Sequence, residues 1–114
     1  MTKYVLVALT NAVESKEQAF NDWYDGQHLP DVLDVPGVVS AQRFKLAETQ
    51  RSPDPLPYRY MALYEIETDN LPAVLEIAKQ RGGTPAMPRS DAVASDMSLW
   101  YFEPMGPKKT ATKR

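Results

Sequence analysis

Tyr4-Val-Leu-Val-Ala-Leu9 is apolar at every position. A run without a polar face marks a strand covered on both sides. Ser15-Lys-Glu-Gln18 follows with the spacing of a capping box, in which Ser15 accepts from the Gln18 amide and the Gln18 side chain reaches back, so a helix is predicted to start there. Ala19, Phe20, Trp23 and Tyr24 recur at helical spacing with Gln27 on the same series; Gly26 weakens this helix and His28-Leu29-Pro30 ends it. Val32 to Val35 leads into Pro36-Gly37, a turn signal, and Val38 to Lys45 reads as a second strand.

Ala47 to Pro57 holds Pro53, Pro55 and Pro57 among polar residues and reads as a loop or an irregular hairpin connection. Tyr58 to Ile66 predicts a third strand, with Tyr58, Tyr60, Ala62, Tyr64 and Ile66 on one face and Arg59, Met61, Leu63 and Glu65 on the other. Asp69 or Asn70 caps a second helix whose stripe is Leu71, Val74, Leu75 and Ala78, and Gly82-Gly83 ends it. Thr84 to Ser95 reads as a loop with room for one helical turn around Ser90 to Ala94, and Met97 to Glu103 as a last strand with neither face clearly polar.

The order β-α-β-β-α-β predicts an α+β, ferredoxin-like antiparallel sheet with two helices on one face, because both crossovers share one hand. The first and last strands carry apolar and aromatic residues on both faces, so the uncovered face is expected to meet a second copy of the chain in a homodimer.

The 114 residues leave room for one domain, taken as 1–104, followed by a tail over 105–114. With 43% hydrophobic and 25% charged residues the chain is an ordinary globular protein. The net charge of −2 hides an asymmetry: Lys108, Lys109, Lys113 and Arg114 are basic, while residues 1–107 carry nine basic against fifteen acidic side chains. An acidic body repels a phosphate backbone, so nucleic acid is not an expected partner, and the basic tail is expected to be a disordered, solubilising end, with an anion contact as the alternative. Cysteine is absent and His28 is the one histidine, which removes disulfides, thiolate chemistry and metal sites built on several imidazoles; no metal is expected. Tyr4 to Leu9 is shorter than the apolar core of a signal peptide, and no export or membrane segment is visible, so a cytoplasmic protein is expected.

Candidate chemistry gathers in Asn21 to Asp31. His28 is the one side chain that titrates near neutrality unperturbed and is the candidate acid–base; capping the helix end or bonding a loop carbonyl is the plainer alternative. Asp25 and Asp31, each three residues away, are candidates to orient its ring, or are solvated surface charges. Tyr64 is the candidate oxyanion donor among tyrosines that otherwise pack, chosen because it lies toward the predicted strand end. Arg43 suits a substrate carboxylate, against a salt bridge with Glu65 or a dimer contact. Trp23, Tyr24 and Trp100 offer flat walls for an aromatic ligand, or are plain core. Gly82-Gly83-Thr84 lacks the spacing of a phosphate loop, and no G-x-S-x-G elbow exists. Haem ligation by His28 is chemically open to a lone imidazole, but two carboxylates make its surroundings more polar than a haem pocket usually is.

Trp23-Tyr24-Asp25, His28-Leu29-Pro30-Asp31, Val35-Pro36-Gly37-Val38 and Arg43-Phe44 together resemble the dimeric α+β barrel superfamily, especially its EthD-like branch. The motifs cover residues 20–44 and the element order extends the likeness over about 3–104. The resemblance implies a small cofactor-independent enzyme of isomerase, cyclase or lyase type, doing acid–base chemistry on an aromatic or polyketide-like carbonyl compound. The alternative is a non-catalytic barrel dimer that binds a hydrophobic small molecule or regulates a partner, since the superfamily holds diverse activities.

Overall fold

The computed structural model describes residues 1–55 and 57–112. Leu56 of the proline-rich connection, and Lys113 and Arg114 of the basic tail, lie outside the described residues. The elements run β1 (Thr2–Thr10), α1 (Glu17–Trp23), a π turn (Tyr24–His28), α2 (Leu29–Leu33), β2 (Val38–Lys45), β3 (Tyr60–Thr68), α3 (Leu71–Arg81) and β4 (Ser98–Phe102). The four strands form one sheet in the order β2-β3-β1-β4, every neighbour antiparallel. This is the predicted ferredoxin-like α+β arrangement. No helix among the described residues is long and apolar enough to cross a membrane.

The alternation of β3 sets the layers. Tyr60, Ala62, Tyr64 and Ile66 are buried, and helical side chains pack on that one face. Phe20 and Tyr24 join Ala8, Tyr60, Ala62, Tyr64 and Ala92 in one cluster, while Val74 of α3 joins Val35, Ile66 and Met87 in a second. Fully burying a side chain such as Phe20 contributes ~1.5–3 kcal/mol. The opposite face shows Val5, Val7 and Leu9 of β1 in register with Phe102, Trp100 and Ser98 of β4, and Leu9 with Met61 of β3. Phe44 of β2 pairs with Met61 on that same face. Trp100 is 62% and Phe102 54% exposed, so this apolar face is uncovered in a single chain.

Five local expectations are corrected. The capping box does not form: Ser15 takes a left-handed φ of 67°, Lys16 occupies the cap position of α1, and the Gln18 side chain bonds Asp22 at 2.9 Å instead. The turn is closed by backbone, from Lys16 N–H to Val13 O at 2.9 Å. Gly26 and Pro30 do not end the helix either. The chain widens by one residue over Tyr24–His28, with the Leu29 N–H reaching Tyr24 O five residues back, and continues as α2 with Pro30 in its first turn. That placement tolerates proline because early helical N–H groups need no partner. β3 starts at Tyr60 rather than Tyr58, and the segment around Ser90 to Ala94 forms a turn and a bridge from Val93 to Ala12 instead of a helical turn. On α3, Leu75 is 39% exposed and Ile77 packs inward in its place.

Other expectations hold. Asn70 Oδ1 accepts from Ala73 N–H at 3.1 Å and caps α3. Pro36-Gly37 turns the chain, closed by Val38 N–H to Val35 O at 3.1 Å, with Gly37 at φ +101°. Two glycines therefore behave oppositely. A Cβ on Gly37 would meet Val74 Cγ2 at 2.9 Å in a left-handed backbone, whereas one on Gly26 would meet nothing within 4 Å. Gly37→Ala is expected to destabilise by about 1–3 kcal/mol, and Gly26→Ala to stabilise by about 0.5–1 kcal/mol. Urea unfolding of both variants checks the pair.

Candidate functional site

The π turn aims two consecutive aromatic residues and the histidine at one another. The His28 imidazole stacks on the Trp23 indole, with centroids 4.6 Å apart and planes 20° from parallel, and meets Tyr24 edge-on at 5.0 Å. Trp23 and Tyr24 themselves meet edge-on at 5.4 Å. Below them Tyr64, only 2% exposed, rises from the middle of β3 rather than from its end.

Three buried polar atoms in this group have no hydrogen-bond partner among the described residues: Trp23 Nε1, His28 Nδ1 and Tyr64 Oη. The Tyr24 and Tyr64 phenols lie close enough to influence each other's ionisation, yet no partner meets hydrogen-bond geometry at Tyr64 Oη. Buried polar groups in folded proteins are almost always paired, so three such atoms in one group make it the candidate site. Short π segments inside helices are likewise concentrated at functional sites.

The carboxylates take other partners. Asp25 Oδ1 accepts from Arg43 Nη1 at 3.0 Å, and Asp31 Oδ2 accepts from Gln27 Nε2 at 2.8 Å. Neither is bonded to His28 Nδ1, although Asp31 acts on the ring through its charge. Arg43 does not pair with Glu65, which accepts from Ser40 on the other face of the sheet. Its guanidinium also donates to Asn21 Oδ1 at 2.9 Å and lies 4.5 Å from the centre of the Tyr24 ring. Trp100 is not part of this group: it stands on the uncovered face, in register with Val7, away from the helices. Its position in the alternation of β4 depended on a register that the sequence left open. Asn21 was missed as the second anchor of Arg43; its spacing of four from Asp25 on one helix was the available signal.

Burial is the main influence on the titrating groups. It lowers the His28 pKa below the ordinary value of 6.5, partly opposed by the Asp31 charge, and it raises both Tyr24 and Tyr64, opposed in part by Arg43. The site therefore holds a neutral imidazole and neutral phenols at pH 7. No cluster of three or more metal-ligating side chains occurs among the described residues. Among the described residues, open cavities lie elsewhere, around the connection between β2 and β3. One of about 510 Å³ is lined by polar residues such as Glu17, Lys45 and Arg59, and one of about 450 Å³ by apolar ones such as Leu9, Phe44 and Met61.

No family model and no curated protein matches the chain. Solved structures do. MhuD of Mycobacterium tuberculosis, a haem degrader seen with two haems in its active site, superposes with a TM-score of 0.63 at 16% identity, over 93% of this chain and 99% of its own. An EthD family protein from Bacillus halodurans gives 0.52 at 17% identity, over 92% and 100%. A candidate monooxygenase from Shewanella loihica gives 0.60 at 11% identity, over 93% and 97%. The chain has the fold of the dimeric α+β barrel proteins. An EthD family protein is among the structures that share this fold.

The lowered His28 pKa has a consequence for stability. Between 6.5 and the lower folded value the unfolded chain binds more protons than the folded one, so stability rises with pH there. The contribution of His28 is thus complete above pH 6.5 and is lost as the pH falls through the folded pKa. Urea midpoints of the wild type are expected to fall over that interval, and those of His28→Gln to stay flatter across it.

Proposed function

We propose that this protein is a small enzyme that moves protons on an aromatic or polyketide-like carbonyl compound, with its chemistry at the π turn. The observation that carries the reading is the set of three unsatisfied buried atoms, Trp23 Nε1, His28 Nδ1 and Tyr64 Oη, around Tyr24. Neutral His28 takes a proton from the carbon beside the ligand carbonyl, and the Tyr64 hydroxyl donates to the carbonyl oxygen as it gains charge. Asp31 favours the imidazolium that forms, and the ring then returns the proton to a second carbon of the ligand (isomerase), to the alkoxide left when the enolate carbon attacks a second carbonyl of the ligand (cyclase), or to a group expelled from the neighbouring carbon as the enolate collapses (lyase). The chemistry as drawn needs no cofactor. Trp23 and Tyr24 supply the aromatic wall.

Haem, which MhuD holds, does not fit these residues: the imidazole lies flat against an indole, and Asp25, Gln27 and Asp31 surround the turn with polar groups. A second reading, binding of a hydrophobic small molecule without turnover, is favoured by the apolar cavity at Leu9, Phe44 and Met61 on the far side of the sheet. Turnover separates the two. In a screen of enolisable aromatic and polyketide-like carbonyl compounds, His28→Ala is expected to lose on the order of 10²–10⁴ in kcat against the wild type, with Tyr64→Phe also impaired. A folded His28→Ala variant with full turnover sinks the assignment. Ligand binding at the apolar cavity with no turnover of any compound favours the second reading.

We infer also that two copies pack their uncovered sheet faces together. The exposed Trp100, Phe102 and Phe44, with Val5, Val7, Leu9, Met61 and Leu63 between them, form a contiguous apolar face of the kind that marks an interface. Sedimentation equilibrium at micromolar concentration is expected to give twice the chain mass of 12.8 kDa, and Trp100→Lys to shift it toward the monomer. A wild type that sediments as a monomer refutes the pairing.

A further inference from the structure

The turn's own side chains tie it only to α2, through Gln27 Nε2 to Asp31 Oδ2 at 2.8 Å, and leave its junction with α1 to other residues. Gly26 brings no side chain, Pro30 withholds a backbone N–H just beyond it, and no side chain caps either end. A π turn is a rare geometry and persists where the surrounding structure over-determines it. Here a guanidinium from the sheet does so. Arg43 Nη2 bonds Asn21 Oδ1 at 2.9 Å in α1, Nη1 bonds Asp25 Oδ1 at 3.0 Å inside the turn, and the group lies 4.5 Å from the centre of the Tyr24 ring between them. Asn21 and Asp25 straddle the junction at which α1 opens into the π turn. A rigid planar fork bonded to both fixes their separation, and hence the winding of the backbone at that junction.

We propose that Arg43 is the positioning residue of the site: by bridging Asn21 and Asp25 it holds the π turn open and so keeps the His28 ring flat on Trp23. The use of that ring rests on the proposed function; the positioning rests on the geometry alone. It assigns the guanidinium to the protein's own Asp25 rather than to a ligand carboxylate. The groups that face His28 are the Trp23 and Tyr24 rings and the charge of Asp31. Arg43 reaches His28 only through the turn.

Because His28 is the one histidine, its imidazole C–H resonances can be followed by proton NMR on the whole chain from about pH 4.5 to 8. In the wild type the stacked indole is expected to displace them by its ring current, and burial to hold the midpoint below 6.5. Arg43→Met and Arg43→Lys are both expected to return the resonances toward free-imidazole positions and to raise the midpoint by about half a pH unit or more. Lysine keeps the charge and lacks the fork, so a shift in both variants identifies geometry as the cause. Folded variants that retain the displaced resonances and the wild-type midpoint overturn the proposal, as does a shift confined to Arg43→Met. If either variant fails to fold by circular dichroism, the double variant Asn21→Ala, Asp25→Ala removes both anchors and leaves the cation; the same shift is expected, and constancy overturns the proposal. A wild-type midpoint at 6.5 refutes the buried neutral imidazole of the proposed function, and the ring-current displacement then decides the role of Arg43 by itself.

Discussion

A guanidinium that is only 14% exposed has to be compensated on every side, because an unpaired charge removed from water is costly. Arg43 obtains that compensation from three sources: a carboxylate at Asp25, an amide oxygen at Asn21, and the ring faces of Phe20, Tyr24 and Tyr60 at 4.5–5.5 Å. Each of these lies on α1, on the π turn or on β3. The cation therefore ties β2 to the helical layer at the point where the helix changes its winding. Asp25 is 65% exposed, so the ion pair by itself is weak. What makes the arrangement specific is the planar group fitting between aromatic faces while both ends are bonded.

The sheet beneath is two-sided in composition but covered once. The tyrosines of β3 point toward the helices and make the floor of the site, while the intervening Met61 and Leu63 point the other way with Val5, Val7 and Trp100. An alternation that is apolar on both faces asks for two covers, and the chain has helices enough for one. The same strand thus places Tyr64 beside Tyr24 and supplies part of the face that remains for another molecule.

Much of this was legible in the sequence because period-2 and period-3.6 patterns report burial directly. Val38–Lys45 and Leu71–Arg81 begin and end where their patterns and their turn residues place them, and the inward face of β3 follows from Tyr60, Ala62, Tyr64 and Ile66. What was hidden depended on partners distant in sequence. Ser15 gives up its cap because the preceding loop is bonded to the 90–94 segment, through Val13 N–H to Ala92 O at 2.7 Å and Ala94 N–H to Asn11 O at 2.9 Å. The π turn is invisible to a periodicity argument, since Gly26 and Pro30 read as breakers when no tertiary contact is known. Arg43 looked like a ligand for substrate or a partner of Glu65 because the bulge between Val38 and Ser40, which sets which side of β2 faces the helices, leaves no mark in the sequence.

The electrostatics of the site run in one direction. Burial drives His28 and the two tyrosines toward their neutral forms, which removes standing charge from the group. The charges that remain nearby sit at opposite ends. Asp31 acts on the imidazole and favours its protonated form, while Arg43 acts on Tyr24 and Tyr64 and favours negative charge beside them. The reaction proposed above would create a dipole of this polarity, positive at His28 and negative beside Tyr64, and both fixed charges would stabilise it. The reverse polarity, with an anion near His28 and a cation near Tyr64, would be opposed by both. Pairing Arg43 with Asp25 weakens this field without reversing it, because the carboxylate is largely in water and the guanidinium is not. The geometry that holds the π turn thus also orients the field across it, with the fixed negative charge on the His28 side and the fixed positive charge on the side of the tyrosines.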